Sequence, residues 1–150
     1  MLGSGVMVEA RARVHLPVEA SKAFAVASDL DHADCLPLLR RIRLVEGSGR
    51  GVGSRFEAEA NIAGRRLRRI LVCREWDEPR RAVFSLEEGM DLDIILTLEP
   101  ATDGCDLELG ARYHVGGGMA GRMVERASAA PARREACRAV GRLAERFGSR

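Results

Sequence analysis

Two different periodicities divide the chain. Over roughly its first hundred residues, apolar and polar residues alternate in short segments, as in strands with one face in a core and the other in water. From Gly117 to about Phe147 the apolar positions instead recur every three or four residues, which predicts one long amphipathic helix. At ~1.5 Å per residue this helix is roughly 46 Å long, enough to cover the whole face of a small sheet.

Seven segments have the strand pattern, and consecutive strands joined by short loops must run antiparallel. Two short helical segments are predicted after the first strand, one from Pro17 to Ala27 and one from about His32 to Leu39, the second broken by Pro37. The predicted fold is therefore α+β, with a curved seven-stranded antiparallel sheet wrapped around the long C-terminal helix. The predicted strands are Val8–Leu16, one starting at Ile42, Phe56–Ile62, Arg65–Trp76, Ala82–Leu86, Leu92–Leu98 and Cys105–Val115.

The predicted inner side of the long helix is rich in alanine, which indicates room between the helix and the sheet because small side chains leave space. Pro131 removes one backbone hydrogen bond and predicts a bend there, either a hinge or a curve that wraps the helix around the sheet. The opposite side is rich in arginine and offers a surface for water or for anionic lipid. The predicted inner side consists of Ala120, Met123, Val124, Ala127, Ala130, Cys137, Val140, Ala144 and Phe147.

Composition excludes several classes of protein. A chain of 150 residues is predicted to form one domain, residues 1–150, and its net charge of +2 gives no strong field for nucleic acid. The four cysteines lie more than thirty positions apart without a CxxC pair, so neither a metal site nor a disulfide framework is indicated. We expect reduced thiols in a cytoplasmic protein without a cofactor. No apolar run approaches the ~20 residues that span a bilayer.

Two polar residues stand out within the apolar strand pattern. Arg69 shares one parity of its strand with Leu67, Leu71 and Cys73, whereas the other parity carries three arginines of its own, Arg66, Arg68 and Arg74. Whichever parity faces inward, a buried guanidinium needs an anionic partner, either a ligand carboxylate or phosphate or an internal residue such as Glu57. Tyr113 lies on the inward parity of the last strand and would supply an aromatic wall with one hydroxyl group.

The order of elements and several motifs resemble the START / polyketide-cyclase superfamily, the helix-grip fold shared with the birch-pollen-type allergens. The segment VHLPVEASKAFAVASDLDHADCLPLLRRI is similar to that family's first strand and two following helices. GSGRGVGSRFEA is similar to its Gly-rich hairpin, and CREWDEPRRAVFSLEEG to its strand, Asp-Pro, strand unit. YHVGGGMAGRMVERA resembles the entry to the long helix, with glycines like those of the superfamily's carbon monoxide dehydrogenase branch.

This resemblance implies binding or transport of a hydrophobic small molecule, such as a lipid, quinone or polyketide, in a cavity between sheet and helix. The alternative is a polyketide cyclase, aromatase or dehydratase using the same cavity, with Arg69, Tyr113 and Glu57 as candidate groups. The family's aromatase/cyclases usually carry a Trp where this chain has His32-Ala33-Asp34, so we expect a binding module without catalytic residues. The sequence predicts no oligomeric state. The predicted ligand-lining residues are Arg69, Leu92, Ile94, Leu96, Leu107, Leu109, Tyr113, Met123 and Ala127.

Overall fold

A computed structural model describes residues 6–32, 35–62, 65–88, 91–115 and 118–147, with the side chains of 6, 32, 35, 61, 62, 115 and 118–129 outside that description. The described residues form one sheet and two α-helices, together with one 3-10 turn, Leu30–His32. In chain order the elements are β1 (Val6–Leu16), α1 (Ala20–Ala27), β2 (Cys35–Leu36), β3 (Leu39–Glu46), β4 (Arg55–Ile62), β5 (Arg65–Asp77), β6 (Arg81–Leu86), β7 (Leu92–Ala101), β8 (Gly104–Val115) and α2 (Gly118–Arg146).

The sheet confirms the predicted architecture. Its strands run antiparallel in the order β1-β8-β7-β6-β5-β4-β3-β2, so every neighbour except the β1–β8 pair is also a neighbour in sequence. Seven of these strands are those predicted, and the eighth is the two-residue β2. The long helix α2 packs against β1, β8 and β2, while α1 packs against β7 and β8. The two helices therefore cover the inner face of the sheet, and the core lies between them and that face.

The second predicted helical segment, His32–Leu39, is wrong. The chain there leaves the 3-10 turn at His32 and forms a tight hairpin in which Leu36 pairs with Leu39. Pro37 cannot donate a backbone hydrogen bond and favours an extended residue before it, both of which oppose a helix. Leu38 completes the turn in the left-handed region, with φ of 66°.

The buried side of α2 differs in part from the prediction. Ala130 and Cys137 are exposed, whereas Ala132 and Ala136 are fully buried. The buried positions then continue with Val140 and reach the partly buried Ala144 and Phe147, as predicted. Alanine is small and weakly apolar on any side of a helix, so it defines the direction of the buried side poorly. Met123 and Ala127 lie among the residues whose side chains are outside the description.

A β-bulge interrupts the pairing of β5 with β6. Cys73 pairs with Phe84, but the next pairs are Glu75 with Val83 and Trp76 with Ala82. The extra residue, Arg74, turns Trp76 to the inner face. There its ring meets that of Phe24 edge to face, with ring centroids 5.0 Å apart.

Neither described helix has the length and apolar character needed to cross a bilayer.

Candidate functional site

The inner faces of β7 and β8 form one continuous apolar surface. Residues directly opposite each other in an antiparallel pair share a face, and the register here sets Leu92 opposite Tyr113, with further leucine and isoleucine pairs along the strands. The structure thus brings together on this face all six of the predicted lining residues in β7 and β8. Each is at most 5% exposed: Leu92, Ile94, Leu96, Leu107, Leu109 and Tyr113.

Buried alanines recur across the rest of the inner face. Alanines are buried on four of the strands and on α2, whereas large aromatic side chains gather on β4, β5 and β6, where the rings of Phe56 and Phe84 meet edge to face at 6.1 Å. Alanine projects only a methyl group from the backbone, so the side chains at these positions take up little of the volume between helix and sheet. The buried alanines are Ala10, Ala12, Ala58, Ala60, Ala82, Ala111, Ala132 and Ala136.

Arg69 lies on the inner parity of β5. It is directly opposite the buried Ala58 and shares its face with the fully buried Leu71, whereas Arg66 and Arg68 on the other parity are exposed. The Arg69 guanidinium donates a hydrogen bond to the carbonyl oxygen of Arg68 at 2.9 Å. Among the described residues it has no carboxylate within ion-pair distance.

The predicted internal partner of this arginine, Glu57, is on the wrong side of the sheet. It lies opposite Ile70 on the outer parity and binds Arg43, with Nη2 and Oε1 3.0 Å apart. Strand β4 therefore directs its carboxylates to solvent and its alanines inward. This corrects the expectation that Glu57 could neutralise Arg69 or act beside it as an acid or base.

Arg69 and Tyr113 lie toward the same end of the sheet. Strands β4, β6 and β8 run in the same direction, so their last residues and the first residues of β5, β7 and α2 share one end. Strands β5 and β8 are three positions apart, which corresponds to roughly 14 Å along the sheet at ~4.8 Å per strand. The two polar residues therefore act on different parts of one surface rather than as a hydrogen-bonded pair.

Sequence reasoning missed Glu135, a buried carboxylate on α2. Its side chain is 11% exposed, and Oε1 accepts a hydrogen bond from the backbone N–H of Leu38 at 2.9 Å. Oε2 lies 3.7 Å from the guanidinium of Arg40. These contacts fasten the helix to the left-handed turn between β2 and β3. The available signal was the position of Glu135 next to Ala136 and one turn before Ala139, but a glutamate on an arginine-rich helix is normally exposed.

Replacing Glu135 with alanine should destabilise the protein by about 1–3 kcal/mol, because the buried N–H of Leu38 would lose its acceptor. Glu135→Gln should cost less, since an amide oxygen can accept the same bond. Urea unfolding curves of both variants measure this difference. Glu145→Ala, on the exposed side of the same helix, is the control. A Glu135→Ala protein as stable as this control would contradict the assigned role.

Burial disfavours the reactive thiolate form of two cysteines, Cys73 and Cys105. Burial raises the pKa of the Cys73 thiol to about 11, and its S–H donates to the carbonyl oxygen of Glu75 at 3.3 Å. Burial also raises the pKa of Cys105, whereas Cys137 is exposed; all three are free thiols. A thiol must ionise to act as a nucleophile, so Cys73 is inert at neutral pH. Within the same residues no three His, Cys, Asp or Glu side chains are grouped as metal ligands.

Comparison with known proteins places this geometry in a family. Over residues 7–148 the chain matches the family described as polyketide cyclase / dehydrase and lipid transport, which covers almost its whole length. The chain belongs to that family, within the START / polyketide-cyclase superfamily that its motifs resemble. No curated protein sequence matches it significantly.

Solved structures of low sequence identity share the fold. A Thermus thermophilus protein is 20% identical with a TM-score of 0.74, covering 94% of this chain and 97% of its own. The ZhuI aromatase/cyclase of a Streptomyces species is 16% identical with a TM-score of 0.70, covering 94% and 95%. Norcoclaurine synthase of Thalictrum flavum is 15% identical with a TM-score of 0.68, covering 97% and 99%. At these identities the likeness establishes the helix-grip fold alone.

Proposed function

We propose that this protein binds and carries a hydrophobic small molecule with an anionic or strongly polar head group, held between the inner face of the sheet and α2. One observation carries the proposal: a continuous, alanine-rich apolar face ends at a guanidinium, that of Arg69, which has no carboxylate partner among the described residues. The family's description as lipid transport supports the same conclusion.

The two parts of this surface would contribute in different ways. Apolar contact with the lining of β7 and β8 supplies the affinity, at about 25 cal/mol for each Å² of ligand surface removed from water. Arg69 supplies orientation, because a guanidinium can donate two parallel hydrogen bonds to a carboxylate or phosphate. Tyr113 adds one hydroxyl group near the same end of the sheet. A ligand site usually consists of an apolar wall with a few polar groups in it.

Arg69→Gln should weaken binding of a fluorescent long-chain fatty acid by about tenfold to a hundredfold, because a hydrogen bond to a charged group contributes about 1.5–3 kcal/mol. Binding of the corresponding fatty alcohol should change little, since it has no carboxylate to lose. Titration of both probes measures this difference. Arg68→Gln, one position away on the outer parity, is the matched control and should bind both probes like the native protein.

Two results would count against the proposed function. If Arg69→Gln and Arg68→Gln lowered fatty-acid affinity equally, the guanidinium of Arg69 would not be the anchor. If neither probe bound the native protein, and native mass spectrometry with solvent extraction of freshly purified protein also released no apolar molecule, a carrier role would be wrong.

The second candidate is an enzyme acting on a polyketide in the same space, a cyclase, aromatase or dehydratase. It is favoured by the family's description and by the likeness to an aromatase/cyclase. Such chemistry needs an acid or base within hydrogen-bond reach of the reacting atom. Glu57 is no longer a candidate, and Arg69 and Tyr113 are three strands apart. We therefore expect no turnover of poly-β-ketone thioester substrates, followed by liquid chromatography and mass spectrometry.

A peripheral membrane contact fits a carrier of hydrophobic molecules. The outer side of α2 carries exposed arginines, among them Arg133, Arg134 and Arg138. Clustered arginines attract anionic lipid head groups at short range. These residues form one candidate surface for that contact.

A further inference from the structure

The hairpin of β4 and β5 extends past β6 at one end of the sheet, while on its other side β3 stays paired with β4 out to Leu39–Ala60. The two strands stay paired from Arg55–Val72 out to Ile62–Arg65, whereas pairing between β5 and β6 begins only at Leu71–Leu86. Residues 65–69 therefore have β4 on one side and, among the described strands, no neighbour on the other. At ~3.4 Å per residue, this arm reaches roughly 20 Å past the last β5–β6 pair.

The arm ends in a cluster of arginines, which we call the arginine tip: Arg65, Arg66, Arg68 and Arg69. Within the part of the chain that the structure describes, none of the four is within ion-pair distance of a carboxylate. Three carboxylates near the tip already have partners, since Glu57 binds Arg43, Glu59 lies 3.7 Å from Arg41, and Glu87 binds Arg55.

Other arginines of the sheet differ from the tip because they do have carboxylate partners. Arg112 lies 3.1 Å from Asp93, Arg81 lies 3.2 Å from Glu75, and Arg50 lies 3.2 Å from Glu78. Apart from Arg74, the arginines of the described strands outside the tip each lie within ion-pair distance of a carboxylate. The arginine tip instead concentrates positive charge at one end of the sheet, where it will attract an anionic surface.

Two features indicate that this anionic surface is a lipid bilayer. The tip is cationic on both sides, because Arg65 and Arg69 lie on the inner parity and Arg66 and Arg68 on the outer parity. A folded protein partner would contact one side of a strand, whereas lipid head groups can contact both faces at the end of this hairpin. The tip also lies at the end of the sheet where β8 finishes and α2 begins, beside the polar end of the proposed ligand surface.

We infer that the arginine tip docks the protein on anionic membranes, so that a hydrophobic molecule passes between bilayer and inner face at this end of the sheet. The choice of a lipid surface as partner rests on the proposed carrier function. The attraction to anionic surfaces rests on the unpaired arginines alone.

Flotation of the protein with vesicles tests this inference. Phosphatidylcholine vesicles containing phosphatidylglycerol should bind the protein at low salt and release it at high salt, while pure phosphatidylcholine vesicles should not bind it. Each arginine near an anionic surface strengthens binding by about fivefold. The variant Arg65→Gln, Arg66→Gln, Arg68→Gln should therefore bind about a hundredfold more weakly, and it leaves Arg69 in place for ligand binding.

The competing surface, the exposed arginines of α2, is tested by removing the same charge there through Arg133→Gln, Arg134→Gln and Arg138→Gln. This variant should bind vesicles like the native protein, and loss of binding in it but not in the tip variant would overturn the inference. Equal binding to vesicles with and without phosphatidylglycerol would overturn it as well. The inference would also be overturned if the native protein did not bind vesicles but bound soluble polyglutamate through the tip, because the partner would then be an acidic polypeptide.

Exposed strands often carry charges that prevent aggregation, so replacing three arginines of the tip with glutamine can make the protein aggregate. A second variant that keeps the charge and stays soluble is therefore needed. Replacing the same three arginines with lysine keeps the charge and should retain most of the vesicle binding; loss of binding in this soluble variant would overturn the inference. Fatty-acid titration without vesicles separates the two proposals. Normal ligand binding with no vesicle binding would refute docking alone, whereas normal vesicle binding with no ligand binding would refute the carrier function and the membrane transfer inferred from it.

Discussion

Replacing Ala111 with phenylalanine is expected to weaken ligand binding about a hundredfold while leaving the protein folded. Ala111 is 1% exposed and lies opposite Ile94, between Leu109 and Tyr113 on the inner face of β8. A phenyl ring at this position would occupy the space that the proposed ligand fills. Displacing about 110 Å² of apolar contact, at about 25 cal/mol per Å², corresponds to roughly a hundredfold loss of affinity.

The same variant reports whether the space between sheet and helix is open. If side chains already filled it, the added ring would strain the core and destabilise the protein by about 1–3 kcal/mol. Fatty-acid titration and urea unfolding should therefore be measured together. Ile95→Phe, on the outer parity of the neighbouring strand, is the control and should change neither quantity much. A loss of stability without a loss of affinity would show that the core is filled and would contradict the proposed site.

Gly104→Ala should have the largest effect on stability of any single methyl group added to the sheet. Gly104 begins β8 with φ of +150°, a conformation that residues with a side chain rarely adopt. A Cβ atom there would lie 2.0 Å from the carbonyl oxygen of Leu16. That oxygen belongs to the end of β1, where Leu16 pairs with Cys105, so it cannot move without disturbing the pairing of β1 with β8.

We expect Gly104→Ala to lower the free energy of unfolding by about 3–5 kcal/mol, a large fraction of the total for a domain of this size. Gly110→Ala, in the same strand, is the matched control. Its Cβ would meet nothing closer than 3.6 Å, so the change should be neutral or stabilise the protein by about 0.4–1 kcal/mol. Chemical denaturation of the two variants measures the difference. Equal stability would mean that β1 and β8 do not approach each other as closely as described.

The sequence predicted the inner surface of β7 and β8 well because its alternation there is unambiguous. Asp93, Thr97 and Glu108 mark the outer parity, and although Ile95 also lies on it, the opposite parity carries leucine or isoleucine at Leu92, Ile94, Leu96, Leu107 and Leu109. The structure confirms that position for all six predicted residues of these strands. Their contact with a ligand, and that of Met123 and Ala127, stays a prediction.

Strand β5 could not be assigned from its own sequence because it carries arginines on both parities. The neighbouring strand settles the question: β4 alternates cleanly between alanine and glutamate, and its register sets Ala58 opposite Arg69. Register between strands is a tertiary property, so the identity of the inward arginine depends on pairing that no single strand encodes. The pairing of β4 also excludes Glu57 as the partner of Arg69, because its position in β4 places it on the solvent side.

The errors at the helices have a different cause. Ala130 and Cys137 were assigned to the buried side because both are small and apolar, but tertiary packing chose Ala132 and Ala136 instead. Glu135 was overlooked because its burial depends on a contact with the Leu38 N–H, 97 residues earlier in the chain. Such long-range satisfaction of a polar group leaves no periodic signal in the sequence.

The bulge in β5 gives the molecule a built-in optical reporter. Trp76, the single tryptophan of the chain, is turned by the extra residue Arg74 onto Phe24 of α1, and the Arg50 guanidinium lies 6.0 Å from its ring centroid. It lies seven residues from Arg69 along the strand, so roughly 24 Å separates their backbones at ~3.4 Å per residue. All tryptophan emission therefore originates at the end of the core opposite the arginine tip. Tryptophan fluorescence, excited in the indole absorption band, will report how tightly that end is closed, independently of any event at the charged end.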